Sequence, residues 1–147
     1  MTTPKSSDNF ESASLETFKL KNQYKSSKYS KHHFELIEQG DSKYSSGFSK
    51  AISTGLGNQV LVVGQGSCVR IVFGEPVKDV AWVYHLDNPE NVFNVTTELG
   101  GDKQTFGAGT ITPLVTVGLG ESKVEAIEIQ ATSAGSLHID SLTWNKV

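Results

Sequence analysis

A single cysteine, a single methionine, four prolines and no apolar run near the ~20 residues of a membrane span are the chain's first features. With only Cys68 present, no intrachain disulfide can form, and the framework of a small oxidised domain is absent. Its neighbourhood, Cys68-Val69-Arg70-Ile71-Val72-Phe73, alternates like a strand, which predicts a packed small hydrophobe rather than a nucleophile. Residues 1–10 are polar and show no apolar core of a Sec signal, so the expected location is the cytoplasm, or export by a non-Sec route. A surplus of positive charge is missing too. Thirteen Lys and Arg against sixteen Asp and Glu give a net charge of −3, which excludes dominant binding to a phosphate backbone.

No complete catalytic or metal motif is present. Ser122, Ser133 and Ser136 lack the strand-turn-helix context of a nucleophile elbow. Gly64-Gln65-Gly66 reads as a hairpin turn, with no helix behind it to receive phosphate. Glu125 and Glu128 fall on opposite faces of a strand, which removes the paired carboxylates of a glycosidase. His32 and His33 are adjacent, so in a strand their rings diverge and do not share one metal. The stretch from Lys19 to His33 interleaves lysines with Tyr24 and Tyr29, as single-strand nucleic-acid binders do. It lacks arginine and is read as a solvated or anion-facing surface, so no nucleic-acid partner is expected.

What remains is a pattern. In 147 residues, 37% hydrophobic and 20% charged, fourteen glycines punctuate short β-branched runs, as in one all-β domain. Composition shifts near residue 50: eight lysines against six acids give +2 before it, and five basic residues against ten acids give −5 after it. The spacing predicts a polar N-terminal segment over 1–16 and a single β-sandwich over 17–147. Val69, Ile71 and Phe73 alternate up to Gly74-Glu75-Pro76, where a turn is expected. Val80, Trp82 and Tyr84 share the next strand face and are expected in the core, as are Leu142 and Trp144 near the end. Strands are also expected over 17–20, 34–38 and 48–53, with further runs over 60–63, 92–99, 103–106, 111–117, 124–130 and 137–144. This regular succession predicts an antiparallel two-sheet sandwich.

The order of motifs after residue 67 carries a resemblance. Arg70-Ile71-Val72-Phe73, Glu75-Pro76-Val77 and Val80-Ala81-Trp82-Val83-Tyr84 are followed by Val124-Glu125-Ala126-Ile127-Glu128-Ile129 and His138-Ile139-Asp140-Ser141-Leu142-Thr143-Trp144. Together with the opening Asn9-Phe10-Glu11, this resembles bacterial extracellular β-sandwich modules of the galactose-binding-like, carbohydrate-binding jelly-roll kind. The resemblance implies a jelly-roll fold and a non-catalytic, lectin-like module whose partner is a carbohydrate or glycoconjugate. It also implies a structural Ca²⁺ held near the start and in the last strand, which here places Glu11 and Asp140 as metal ligands, with Asp8 as a weaker neighbour. Six to eight oxygens would be needed, so backbone carbonyls must contribute.

A sugar ring stacks on a flat aromatic while polar neighbours fix its orientation. Trp82, Tyr84 and Trp144 are assigned to the core, which leaves the loops. Tyr44, in Gly40-Asp41-Ser42-Lys43-Tyr44, and the group His85, Asp87, Asn88 and Asn91 after the Trp82 strand are the expected ligand-binding residues. Two alternatives stay open. One is an adhesive protein-contact module, for which a homo-oligomer would speak. The other is a small hydrolase using His85, Asp87, His138 and Asp140, which requires those side chains to meet in one cleft.

Overall fold

A computed structural model describes residues 6–40, 43, 45–51, 58–86, 92–97, 104–107, 115–119, 123–132 and 135–147. Among them there is no helix. Twelve strands follow in order: β1 (Ser6–Asp8), β2 (Glu16–Thr17), β3 (Gln23–Tyr24), β4 (His33–Glu38), β5 (Gly47–Lys50) and β6 (Gln59–Val63), then β7 (Cys68–Leu86), β8 (Val92–Thr97), β9 (Gln104–Gly107), β10 (Val115–Leu119), β11 (Val124–Ala131) and β12 (Leu137–Lys146). Every paired strand runs antiparallel to its neighbour, as the alternation and turn spacing predict.

The organising element is β7, nineteen residues long. Its first half lies between β4 and β11, in a sheet ordered β3-β4-β7-β11-β8-β9. Its second half lies between β12 and β10, in a sheet ordered β2-β5-β6-β12-β7-β10, with β1 on the C-terminal half of β12. One strand therefore serves both layers of a jelly-roll sandwich. The turn expected at Gly74-Glu75-Pro76 does not end the strand; the chain stays extended and exchanges partners there. Pro76 lacks an N–H for the ladder, and Gly74 takes φ 82°, a conformation that favours glycine. Val77 is the crossing point, paired with Val124 of β11 on one side and Lys146 of β12 on the other. Likewise Gly64-Gln65-Gly66 is not a hairpin. It carries the chain from β6 in one sheet to β7 in the other, and the two strands do not pair with each other.

The two inner faces meet through the residues that period two assigns to them. Phe34, Leu36, Val69, Ile71, Phe73, Phe93, Val95, Ile127 and Ile129 come from one sheet; Phe48, Leu61, Val63, Val80, Trp82, Tyr84, Leu137 and Ile139 come from the other. Leu142 and Trp144 are buried with them although they lie out of phase with Leu137 and Ile139. The ladder slips between Asp140 and Thr143, and Ser141 takes φ 53°, so a bulge resets the alternation.

The N-terminal third differs most from expectation. Residues 6–13 are part of the sandwich and not a leading polar segment: β1 pairs with β12, and Phe10 and Ala13 are buried. Phe10 fills the gap between the layers, its ring 5.9 Å from Phe34 and 6.1 Å from Phe48. Phe18 packs edge-on against Phe48 at 5.0 Å and stacks on Tyr24 at 4.3 Å. Of the expected 17–20 strand only Thr17 lies in a strand, β2; Leu20 makes an isolated bridge to Leu36, and Lys21 turns at φ 68° with its N–H donating to Leu36 O. The lysine-rich stretch thus folds back onto β4 through β3. Of the strand expected over 48–53, Gly47–Lys50 is observed and residues 52–53 lie outside the described residues.

Candidate functional site

Beyond β1 the chain turns sharply. Phe10 takes φ 62°, held there by its N–H donating to Asp8 Oδ1 at 2.8 Å. The other carboxylate oxygen, Oδ2, receives the Ser26 hydroxyl and His32 Nε2, the latter at 2.5 Å. All three side chains are buried. Burial pushes the Asp8 carboxyl up, but the hydrogen bonds from His32, Ser26 and Phe10, with the charge of His32, outweigh it and hold it below its ordinary value of 3.8. The His32 ring lies edge-on to Trp144 at 4.9 Å and to Phe34 at 5.6 Å, so the cluster is tied to the core.

This cluster anchors the segment between β3 and β4. The Ser30 N–H and hydroxyl both donate to Ser27 O, at 3.1 and 2.7 Å, and the Tyr29 N–H reaches Ser27 Oγ at 3.3 Å. The turn so formed lifts Tyr29 outward, where it is 84% exposed with Lys28 Nζ 5.0 Å over its ring. Between this turn, β1 and the bend of β7 lies a cavity of about 480 Å³, within the size range of small-ligand sites. Phe73, Trp144 and His32 line its inner part, and serines from both strands of chain supply hydroxyls. Glu75 stands at the bend with Lys31 Nζ 3.6 Å and Lys146 Nζ 3.9 Å from its carboxylate.

Ser26 and His32 converge on the same oxygen of Asp8, so the hydroxyl proton points at the carboxylate and not at an imidazole that could remove it. Elsewhere Cys68 is buried, and burial, with Glu128 and Glu38 adding to it, pushes its thiol up to about 12. It is a packed thiol at neutral pH, as its alternating neighbours predict.

Of the sequence-predicted ligand residues, Tyr44, Asp87, Asn88 and Asn91 lie outside the described residues. His85 is not in a loop: β7 continues through Leu86, and His85 pairs in register with His138, the two rings 6.1 Å apart. That pair lies on the face of the sheet turned away from the core residues Tyr84 and Ile139. It is remote in the ladder from Trp144 and the cavity behind it. Both expected metal ligands accept backbone N–H groups. Glu11 accepts from the backbone N–H of Asn58 at 3.0 Å and of Gln59 at 2.7 Å, and Asp140 accepts from Ser141 at 2.8 Å beside the bulge. Among the described residues no three His, Cys, Asp or Glu side chains come together as a metal site. His32 and His33 diverge as the strand geometry predicts, His32 to Asp8 and His33 to Glu35 at 2.9 Å.

Tyr29, His32, Ser26 and Asp8 were not expected together. Their sequence signal is weak: serines and lysines around one tyrosine, a composition that surface loops share. A second hollow of about 620 Å³ along β5, reaching Val62 and His138, has no exposed aromatic ring among its described residues.

No protein-family model matches the chain, and neither does any curated protein. Among solved structures it is similar to a family 61 carbohydrate-binding module in complex with β-1,4-galactotriose, at 13% identity and TM-score 0.48, covering 78% of this chain and 88% of that one. A family 32 module from C. perfringens in complex with galactose matches at 11% identity and TM-score 0.46, covering 78% and 94%. A family two carbohydrate esterase from Cellvibrio japonicus matches at 14% and 0.47, covering 79% of this chain, which spans about a third (34%) of the esterase. With scores below 0.5, these likenesses decide neither the site nor its ligand, and each ligand named is that protein's own.

Proposed function

We propose that the chain is a non-catalytic carbohydrate-binding module, with the sugar seated in the cavity between β1, the 26–32 turn and the bend of β7. The observation that carries this reading is the pairing of an exposed ring, Tyr29, with a hydroxyl-lined hollow whose inner wall is Trp144, Phe73 and His32. Sugars present both an apolar ring face and a fringe of hydroxyls, and this cavity supplies a partner for each. The buried Asp8–His32–Ser26 cluster keeps the wall rigid, which limits the ordering cost of binding.

A glycan-array screen of the purified protein, repeated with Tyr29→Ala, tests this. A coherent set of sugars should bind the parent protein, and the variant should lose about tenfold in affinity, or ~1.4 kcal/mol. A blank array would overturn the reading in favour of a protein-contact module. A structural Ca²⁺ held by Glu11 and Asp140 together is a separate proposal. Each carboxylate already serves backbone N–H groups, so a Ca²⁺ there would draw most of its oxygens from carbonyls. Parallel arrays with Ca²⁺ and with EDTA check it; binding indifferent to EDTA would remove the metal.

A further inference from the structure

The cavity mouth has a charge opposite in sign to the molecule. The chain carries −3 overall, and its part after residue 50 carries −5. Yet three ammonium groups gather around this opening: Lys31 and Lys146 on either side of Glu75, and Lys28 over the ring of Tyr29. Lys31 and Lys146 lie far apart in the sequence and are brought together at the bend of β7 and the end of β12. Their side chains are 70% and 57% exposed, whereas Glu75 is 26% exposed between them. Glu75 thus ion-pairs with both lysines, at 3.6 and 3.9 Å, distances beyond ordinary hydrogen-bond length. The other carboxylate of the cavity, Asp8, is buried and already receives three donors. The mouth therefore has three ammonium groups around one exposed carboxylate, Glu75.

We propose that the site takes an anionic sugar, a uronate-type residue whose carboxylate lies between Lys31 and Lys146 while its ring faces Tyr29. This rests on the carbohydrate reading above. Glu75 is then the resident competitor: it holds the two lysines near each other in the free protein and is displaced, or shares them, when the ligand's carboxylate arrives. A cationic opening on an acidic molecule also attracts a polyanionic chain over longer range.

The test compares three probes by calorimetry or by titration of backbone amide resonances: a galacturonate trisaccharide, the same trisaccharide with its carboxylates reduced to primary alcohols, and that reduced form O-sulfated. At low salt the uronate should bind at least about fivefold tighter than the reduced form, with the ratio shrinking as added salt shortens the screening length. The double variant Lys31→Gln, Lys146→Gln should bring the ratio close to one, and Glu75→Gln should raise it. A sulfated probe that matches the uronate would assign the preference to negative charge in general; one that does not would assign it to the carboxylate. If uronate and reduced form bind alike in every variant, the anionic-ligand inference falls while the sugar site stands. If neither form binds and the neutral glycans of the array are blank as well, the sugar site itself falls. Because all three substituted side chains lie at the surface of the mouth, unchanged melting curves separate loss of charge from loss of fold.

Discussion

Asp8 shows how one buried side chain connects stability to the site. Its carboxylate closes the turn at Phe10, receives Ser26 and fixes the His32 ring against Trp144. Replacing it with asparagine leaves His32 and Ser26 with a weaker acceptor inside the protein, which should cost about 1–3 kcal/mol at pH 7 by urea denaturation. The pH dependence has a definite sign. Because the folded carboxyl sits below its ordinary value of 3.8, its contribution is complete above that value and is lost as pH falls through the lower folded one. The difference between the parent and Asp8→Asn should thus shrink below about pH 3.8; a difference constant down to pH 2 would refute this role. Cys68 gives a second residue-level expectation. With its thiol pushed up to about 12 and its side chain buried, it should resist a thiol-exchange reagent at pH 8 until denaturant is added. Prompt labelling of the native protein would contradict that.

At the scale of elements, β7 decides most. Its alternating positions were legible: Val69, Ile71, Phe73, Val80, Trp82 and Tyr84 point inward as period two requires. Its continuity was not. Gly74-Glu75-Pro76 has the composition of a turn, and composition does not distinguish a strand that ends from one that changes partners. Gly74 is where the two readings separate physically. Its φ is 82°, and a Cβ there would lie 2.9 Å from the Lys31 carbonyl oxygen. Gly74→Ala should therefore destabilise by about 1–2 kcal/mol, read from melting curves, and weaken ligand binding by displacing Lys31. A fully neutral substitution would mean that the bend relaxes without cost. The bulge at Ser141 was equally hidden, since Leu137, Ile139, Leu142 and Trp144 satisfy no single period and only the ladder slip explains their common burial.

For the whole molecule, the N-terminal third is the informative part. Its polar composition suggested a leading segment outside the domain, yet Phe10 and Phe18 complete the aromatic cluster between the layers, and Glu11 with Gln59 fastens the segment to β6. Phe10→Ala should cost about 3–5 kcal/mol in a single cooperative transition. A loss under about 0.5 kcal/mol, the scale of a surface change, would show that the segment is an appendage.

The sequence by itself determined the all-β class, the inward face of β7 and the packed cysteine. All three follow from local alternation, which needs only that one side of a strand be buried. Tertiary structure alone decided the site. Asp8, Ser26, Tyr29, His32, Glu75 and Lys146 span almost the whole chain, and they meet because β1 and β7 both pair with β12, while β4 pairs with β7. No window of sequence contains that meeting. Long-range pairing is set by which strands can bury their apolar faces together, a property of all the strands at once.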